Sequence, residues 1–301
     1  MRVVVTGREG QVSRALIERA AGAGVTVVAV GRPEFDLERP ETIAPALAAA
    51  RPDVVVNAAA YTAVDLAESA EATALSVNGT GAGEVAAAAR RLGVPVIQVS
   101  TDYVFDGALD RPYREDDATG PISAYGRSKL TGEQAVAAVN PDHAILRTAW
   151  VYSPWAKNFV RTMLRLGAER SEVGVVADQI GSPTSALDIA DAVLAAARNL
   201  VSRPGEASLR GVFHMAAQGE ASWAEVAEAV FMDAETAGRA PVQVKRIATS
   251  DYPTPARRPA NSRLDGTRLA SVHGVTLPHW RGSLANCVAR LLTDERAGQG
   301  S

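Results

Sequence analysis

The sequence predicts an α/β fold: a Rossmann-like doubly wound parallel sheet with a smaller C-terminal substrate-binding lobe. Three observations carry that expectation. Short β-branched runs are continuously apolar rather than alternating, as strands buried on both faces are. An Ala-rich stretch of helical length follows nearly every run, so strand and helix alternate with short connections. The first run also leads straight into a glycine-bearing turn, Thr6-Gly7-Arg8-Glu9-Gly10-Gln11, at the opening of the first helix.

Taken in order, Val3–Val5 reads as the first strand and 11–21 as the first helix. Val25–Val30 is the second strand, 41–51 the second helix and Val54–Val56 the third strand. A long Ala-rich helix is expected up to Leu92, then a strand over Val94–Val99. A helix opens at Ser123, after Pro121, and Ala144–Leu146 is the next strand. Beyond Tyr152 the rhythm loosens. Helices are expected near 158–166, 187–198 and from Trp223, with strands near 173–176, 211–215 and 242–247. A Pro-rich stretch follows over 252–259, then a last helix near 284–292 and a frayed end over 296–301. Residues 1–152 with 185–215 are assigned to an NAD(P)-binding domain, and 153–184 with 216–301 to a sugar-nucleotide-binding lobe.

Composition narrows the function. The 301 residues are 47% hydrophobic and 22% charged, ordinary globular usage that excludes a disordered chain. A net charge of -3 argues against a nucleic-acid or membrane-surface partner. Cys287 is the only cysteine, so no internal disulfide is expected, and the four histidines have no zinc-binding spacing. Apolar runs are too short for a membrane span, and the N-terminus lacks the apolar region of a signal peptide. The expected compartment is the cytoplasm.

The chemistry begins at the glycine turn. Glycines permit a tight turn and close backbone approach, and a helix N-terminus offers free N–H groups to a pyrophosphate. Ser13 stands where a third glycine would be, small enough for close packing. A ribose clamp is expected near the end of the second strand, which reads Val30-Gly31-Arg32-Pro33. A guanidinium there, with no carboxylate at the tip, favours a 2′-phosphate and hence NADPH over NADH. The plain alternative is a solvated surface arginine, and Glu34 lies close by. Tyr125 and Lys129 are four apart and share a helix face. An ammonium beside the phenol would lower its pKa and let it deliver a proton to a carbonyl oxygen. Thr101, at the carboxyl end of a parallel strand, lies where such sheets bind ligands and could bond the same oxygen. A lone Tyr-x-x-x-Lys pair is common on ordinary helices. Its order after the glycine turn and the strand-end threonine is what points to nicotinamide-dependent carbonyl chemistry.

These motifs resemble the extended short-chain dehydrogenase/reductase superfamily and, within it, the dTDP-4-dehydrorhamnose reductase family. The resemblance rests on the glycine turn, on Arg51 to Asp65, on Ser100 to Gly107, and on Tyr125 to Lys129 with Glu133. It continues over Arg147 to Tyr152, Asp178 to Thr184 and Arg257 to Asp265, and covers residues 1 to about 292. It implies Tyr125 as general acid, Lys129 as its pKa modulator and ribose anchor, and Thr101 as the carbonyl-side hydroxyl. It implies Gly7, Glu9, Gly10, Gln11 and Val12 around the pyrophosphate, and Asp36 and Leu37 along the adenine. Ala58, Ala59, Ala60, Tyr61 and Thr62 would wall the cofactor, which Arg32 would help hold. Asp102 and Trp150 would contact the sugar, with Asn158 and Arg257 toward the diphosphate. Trp150 has a plain reading as core, and Arg257 one as a surface charge.

The activity so implied is NADPH-dependent reduction of dTDP-4-dehydro-L-rhamnose to dTDP-L-rhamnose. An alternative keeps the chemistry and takes another dTDP-4-keto-6-deoxyhexose of antibiotic sugar biosynthesis. A non-enzyme alternative is a regulatory subunit resembling the methionine adenosyltransferase β subunit, against which the intact Thr101, Tyr125 and Lys129 set weighs. Some family members use Mg²⁺ held by acidic residues. Leu187 stands where a paired carboxylate would be wanted, so Mg²⁺ is doubtful and no metal ligand is assigned. A monomer and a homodimer are both compatible with the sequence.

Overall fold

The computed structural model describes residues 1–299. Its centre is a six-stranded, all-parallel sheet. The strands are β1 (Arg2–Thr6), β2 (Thr26–Val30), β3 (Val54–Asn57), β4 (Val96–Thr101), β5 (His143–Thr148) and β10 (Gly211–His214), in the order β10-β5-β4-β3-β1-β2. Val3–Val5 and Val54–Val56 are wholly buried, which is why these strands lack polar alternation. Helices α1 (Gln11–Ala20) and α8 (Ala186–Ser202) cover one face, with Leu16, Ile189, Val193 and Phe213 in the core beneath them. Helices α2 (Ile43–Ala50), α5 (Gly81–Leu92) and α6 (Ala124–Val139) cover the other, with Leu47, Val85 and Val136 inside. The chain leaves β1 toward β2 and then returns to the other side for β3. The crevice outside the carboxyl ends of β1 and β3 is therefore the switch point where such sheets take ligands.

A second core lies among α7 (Phe159–Glu169), α9 (Trp223–Thr236) and α11 (Trp280–Gln299), built from Val160, Met163, Phe231, Leu284 and Val288. Strand β7 (Glu172–Val176) pairs in parallel with β12 (Gln243–Ile247) beside it. Two-residue strands pair apart from the large sheet: β6 (Val151–Tyr152) with β9 (Thr184–Ser185), and β8 (Ile180–Gly181) with β11 (Ala221–Ser222) and β13 (Asn261–Ser262).

Four segments differ from expectation. The long Ala-rich helix is broken into α3 (Val64–Ala67), α4 (Glu71–Leu75), a π-helical turn over Ser76–Thr80, and α5. Tertiary bonds override its propensity here. The Asn78 amide accepts from Tyr61 N at 2.8 Å and donates to Tyr61 O at 3.0 Å and Ser128 Oγ at 2.9 Å. Strand β4 starts later than expected and runs on to Thr101. Helix α10 (Thr267–His273) was not anticipated; it sends Leu269 into the core beside the large sheet, although the sequence assigns it to the lobe. The last helix starts at Trp280 and continues to Gln299 where fraying was expected, while 300–301 lie outside the described residues.

Candidate active site

The floor of the crevice is a buried polar row across the strand ends. Thr6 Oγ1 donates to Asn57 Oδ1 at 2.7 Å and accepts the amides of Ala58 and Ala59. Asn57 Nδ2 reaches Gln98 Oε1 at 2.7 Å, Gln98 donates to Val99 O at 3.0 Å, and Lys129 Nζ donates to that same carbonyl at 2.8 Å. One network thus fixes the glycine turn, the β3 end and Lys129 together.

Above this row the glycine turn is shaped for a pyrophosphate. Gly7 has φ +88°, a left-handed conformation that side chains resist, and a Cβ there would meet Ala59 at 3.5 Å. Gly10 caps α1 without a side-chain hydrogen bond, and the first turn of α1 carries no acid, so its N–H groups face outward uncompensated. Ser13 is buried and donates to Thr6 O at 3.2 Å, so its hydroxyl is satisfied. Ala58, Ala59, Ala60 and Tyr61 remain partly accessible, and Thr62 is exposed. These features fit a dinucleotide.

Other expected cofactor contacts are already engaged. Arg32 pairs with Asp36 at 3.2 Å and Glu38 at 2.6 Å, so the tip of β2 does have carboxylates beside it, contrary to the expectation from sequence. Arg8 stands beside it, bonded to Arg32 O and Glu34. Asp36 holds Arg32 and Arg39, and Leu37 is buried against Gly81. Both serve this loop's own structure in the geometry seen. Glu9 pairs with Arg14. Gln11 accepts from Ser153 Oγ at 2.7 Å and from Asn158, while Val12 packs against the sheet core.

Ser123 caps α6, accepting from Gly126 N at 3.1 Å, and so aims Tyr125 at the end of β4. The ring of Tyr103 meets that of Tyr125 edge-on at 5.5 Å. Burial and the nearby Asp102 charge push the Tyr125 phenol well above the ordinary tyrosine range, with the Thr101 hydroxyl opposing them. The sequence expected an ammonium to lower it. Instead, the Lys129 ammonium is tied to Val99, and burial brings its own pKa down to about 8 against the pull of Glu133. Thr101 donates to Asp102 Oδ1 at 3.0 Å and accepts from Tyr103 N at 3.2 Å. Asp102 is 3% exposed, and its Oδ2 has no hydrogen-bond partner. Burial raises its pKa to about 6, although Ser262 and Thr101 hydroxyls pull it partway back.

Toward the second core, Trp150 stacks on Trp223 with centroids 3.6 Å apart, and Gly181 leaves room for its ring. Trp223 lines a groove of about 550 Å³ with Met163, Val175, Gln179, Tyr252 and Arg258. Thr101, Asp102, Tyr125, Trp150, Asn158 and Arg257 are not among its walls. The Asn158 amide caps α7, accepting from Arg161 N and donating to Ser153 O at 2.8 Å, and Arg257 is exposed. The guanidinium at the groove is Arg258, which pairs with Asp65 at 2.9 Å.

The family model described as RmlD substrate binding domain matches residues 1–293. The chain belongs to the dTDP-4-dehydrorhamnose reductase family. A dTDP-4-dehydrorhamnose reductase of Sinorhizobium fredii is 51% identical, the match covering 98% of this chain and 99% of that one. The Mycobacterium tuberculosis protein of that name is 43% identical over 96% of this chain and 92% of its own. Among solved structures, a dTDP-4-dehydrorhamnose reductase from Clostridium acetobutylicum superposes with TM-score 0.89 at 36% identity, covering 97% and 100% of the two chains. One from Bacillus anthracis, in complex with NADP, gives 0.87 at 33%, covering 96% and 99%.

For this member of the dTDP-4-dehydrorhamnose reductase family, sequence reasoning passed over four groups the site depends on: Asn57, Gln98, Asn78 and Arg258. Asn57 and Arg258 lie inside motifs the resemblance already contains, but nothing local distinguishes Arg258 from Arg257. Only the fold shows which one faces the groove. Asn78 and Gln98 are single polar residues in apolar surroundings, and that contrast was the available signal. Among the described residues no three His, Cys, Asp or Glu side chains gather as a metal site, and no helix is long and apolar enough to cross a membrane.

Proposed function

We propose that this chain reduces the 4-keto group of dTDP-4-dehydro-L-rhamnose to give dTDP-L-rhamnose, with NADPH as hydride donor. The observation that carries the reading is the convergence of Tyr125, Thr101 and Lys129 at the end of β4, beside the crevice that holds the glycine turn. A carbonyl taking up hydride becomes alkoxide-like and needs a proton donor within reach. The raised Tyr125 pKa keeps that proton on the phenol until the oxygen gains charge. Lys129, anchored on Val99 O, fixes a cation beneath the ribose position. Bound in the crevice, the reduced nicotinamide supplies the hydride. The 550 Å³ groove from Arg258 to Trp223 suits the sugar nucleotide, with Arg258 offering a guanidinium to a phosphate. For the cofactor, Arg8 and Arg32 favour a 2′-phosphate, although Arg32 must share itself with Asp36 and Glu38.

The test is NADPH and NADH oxidation against a panel of dTDP-4-keto-6-deoxy sugars, with product stereochemistry by NMR. The rhamno-configured product with NADPH is expected. No oxidation with any sugar would indicate a regulatory protein, and turnover of only another sugar would reassign the substrate. Arg32→Ala should raise the NADPH KM about fivefold, roughly 1 kcal/mol for one charge-assisted contact, and leave NADH nearly unchanged. Equal effects on both cofactors would remove Arg32 from the 2′-phosphate site.

A further inference from the structure

Resting on that reading of the site, we infer that Asp102 takes part as a neutral acid: its proton gives the Thr101–Asp102 pair the one hydrogen-bond donor it can turn toward the substrate carbonyl oxygen. The argument is a count of protons. Thr101 has a single hydroxyl proton, and it lies on Asp102 Oδ1. Its lone pairs already receive the Tyr103 amide. With Asp102 ionised, the pair holds one proton, used internally, and offers none outward. With Asp102 neutral it holds two, and one is free. The acid then donates to Thr101 Oγ1 and releases that hydroxyl, while its own Oδ2 stays buried away from the crevice.

Charge points the same way. An ionised Asp102 would stand beside the oxygen on which negative charge develops, and it already makes the Tyr125 phenol harder to deprotonate. Neutralising it removes the charge beside that oxygen and leaves burial, the larger cause, to hold the proton on Tyr125. Hydroxyls from Ser262 and Thr101 offset a carboxylate only in part, and among the described residues no free cation faces it. Tyr103 adjoins it in the chain, Tyr125 faces it from α6, and Ser262 faces it from β13. Arg258 and Asp65, the charges acting on Tyr103, are paired with each other. Lys129 is bonded to Val99 O, and Arg147 is locked on Glu133 at 2.7 Å. Asp102 gains and loses no bond in the reaction. Hydride forms the new C–H bond, the Tyr125 proton completes the hydroxyl, and solvent reprotonates Tyr125. Asp102 is thus a positioning residue, related in principle to carboxylic acids kept protonated by an apolar site so that they can donate.

Two measurements test this, one without turnover. Infrared difference spectra of the full chain, titrated from pH 5 to 8, should show a protonated-carboxyl C=O stretch that disappears with rising pH and is absent in Asp102→Asn. The amide matches the acid in shape and keeps an outward donor, but it does not ionise. The ratio of Asp102→Asn to wild-type kcat should therefore rise about tenfold per pH unit above the Asp102 ionisation, since any effect of Tyr125 cancels. A merely structural role would move KM or stability and leave that ratio flat. A flat or falling ratio overturns the inference, as does the absence of the stretch at pH 5. Failure to reduce any dTDP-4-keto sugar would instead overturn the proposed function, and the infrared titration would still decide how Asp102 holds its proton.

Discussion

At the scale of single residues, Asp102 makes stability depend on pH. Its folded pKa, about 6, lies above the ordinary 3.8 of the unfolded chain. Between those values the unfolded state has already released the proton that the folded state keeps, so stability falls as pH rises from about 4 to 6 and then stays low. The gap between the two values corresponds to roughly 2–3 kcal/mol. Asp102→Asn should therefore be more stable than wild type at pH 8 by up to that amount, in urea unfolding, and indistinguishable near pH 4. A loss of stability equal at both pH values would mean that the carboxylate is bonded in a way the structure does not show. Residue by residue, the proposed catalytic set stood out in the sequence because Tyr125, Lys129 and Thr101 carry chemistry at spacings a helix and a strand end enforce. Arg32, Asn158 and Arg257 were harder. Their types suit phosphate or ribose, but Asp36 and Glu38 claim Arg32, Gln11 and nearby backbone carbonyls claim Asn158, and Arg257 faces solvent, none of which the residue types announce.

At the scale of elements, the approach of α6 to its neighbours sets the site. A Cβ on Gly126 would come within 2.2 Å of Tyr103 O, and one on Gly132 within 2.0 Å of Asn78 O. The helix thus lies backbone to backbone against the turn that carries Thr101 and against the π-helical turn. Gly126→Ala must lift the start of α6, and with it Tyr125. We expect a stability loss of about 1–3 kcal/mol, typical of overpacking, and a kcat about 10–100-fold lower, as misplacement by about 1 Å can cause. Gly282→Ala, in α11 with nothing within 4 Å of the added methyl, is the control and should be neutral or slightly stabilising. Unchanged kcat in Gly126→Ala would show that α6 can retreat without moving the phenol. The same contact explains what the sequence concealed. The strands and α1 announce themselves by apolar runs and a glycine turn. The break between α4 and α5 is made by Asn78 bonding Tyr61 and Ser128, and a run of alanines gives no sign of such a tertiary bond.

At the scale of the whole molecule, the sheet and the second core are held together beside the candidate site. Gln11 binds Ser153 and Asn158, and Arg258 pairs with Asp65, so both sides share side-chain bonds around the site. The doubly wound architecture was readable from the strand–helix rhythm. So were the main helices and strands of the second core; what stayed hidden was the pairing of its short strands, whose partners are distant in sequence. What joins the scales is one claim, that Tyr125 gives its proton to a sugar carbonyl at the end of β4. The most direct test compares wild type with Tyr125→Phe for reduction of dTDP-4-dehydro-L-rhamnose by NADPH, with thermal unfolding and NADPH binding measured on the same samples. The account predicts unchanged folding and cofactor affinity with kcat lower by about 10²–10⁴-fold, the range for a positioned acid. Near-normal turnover in Tyr125→Phe would contradict it.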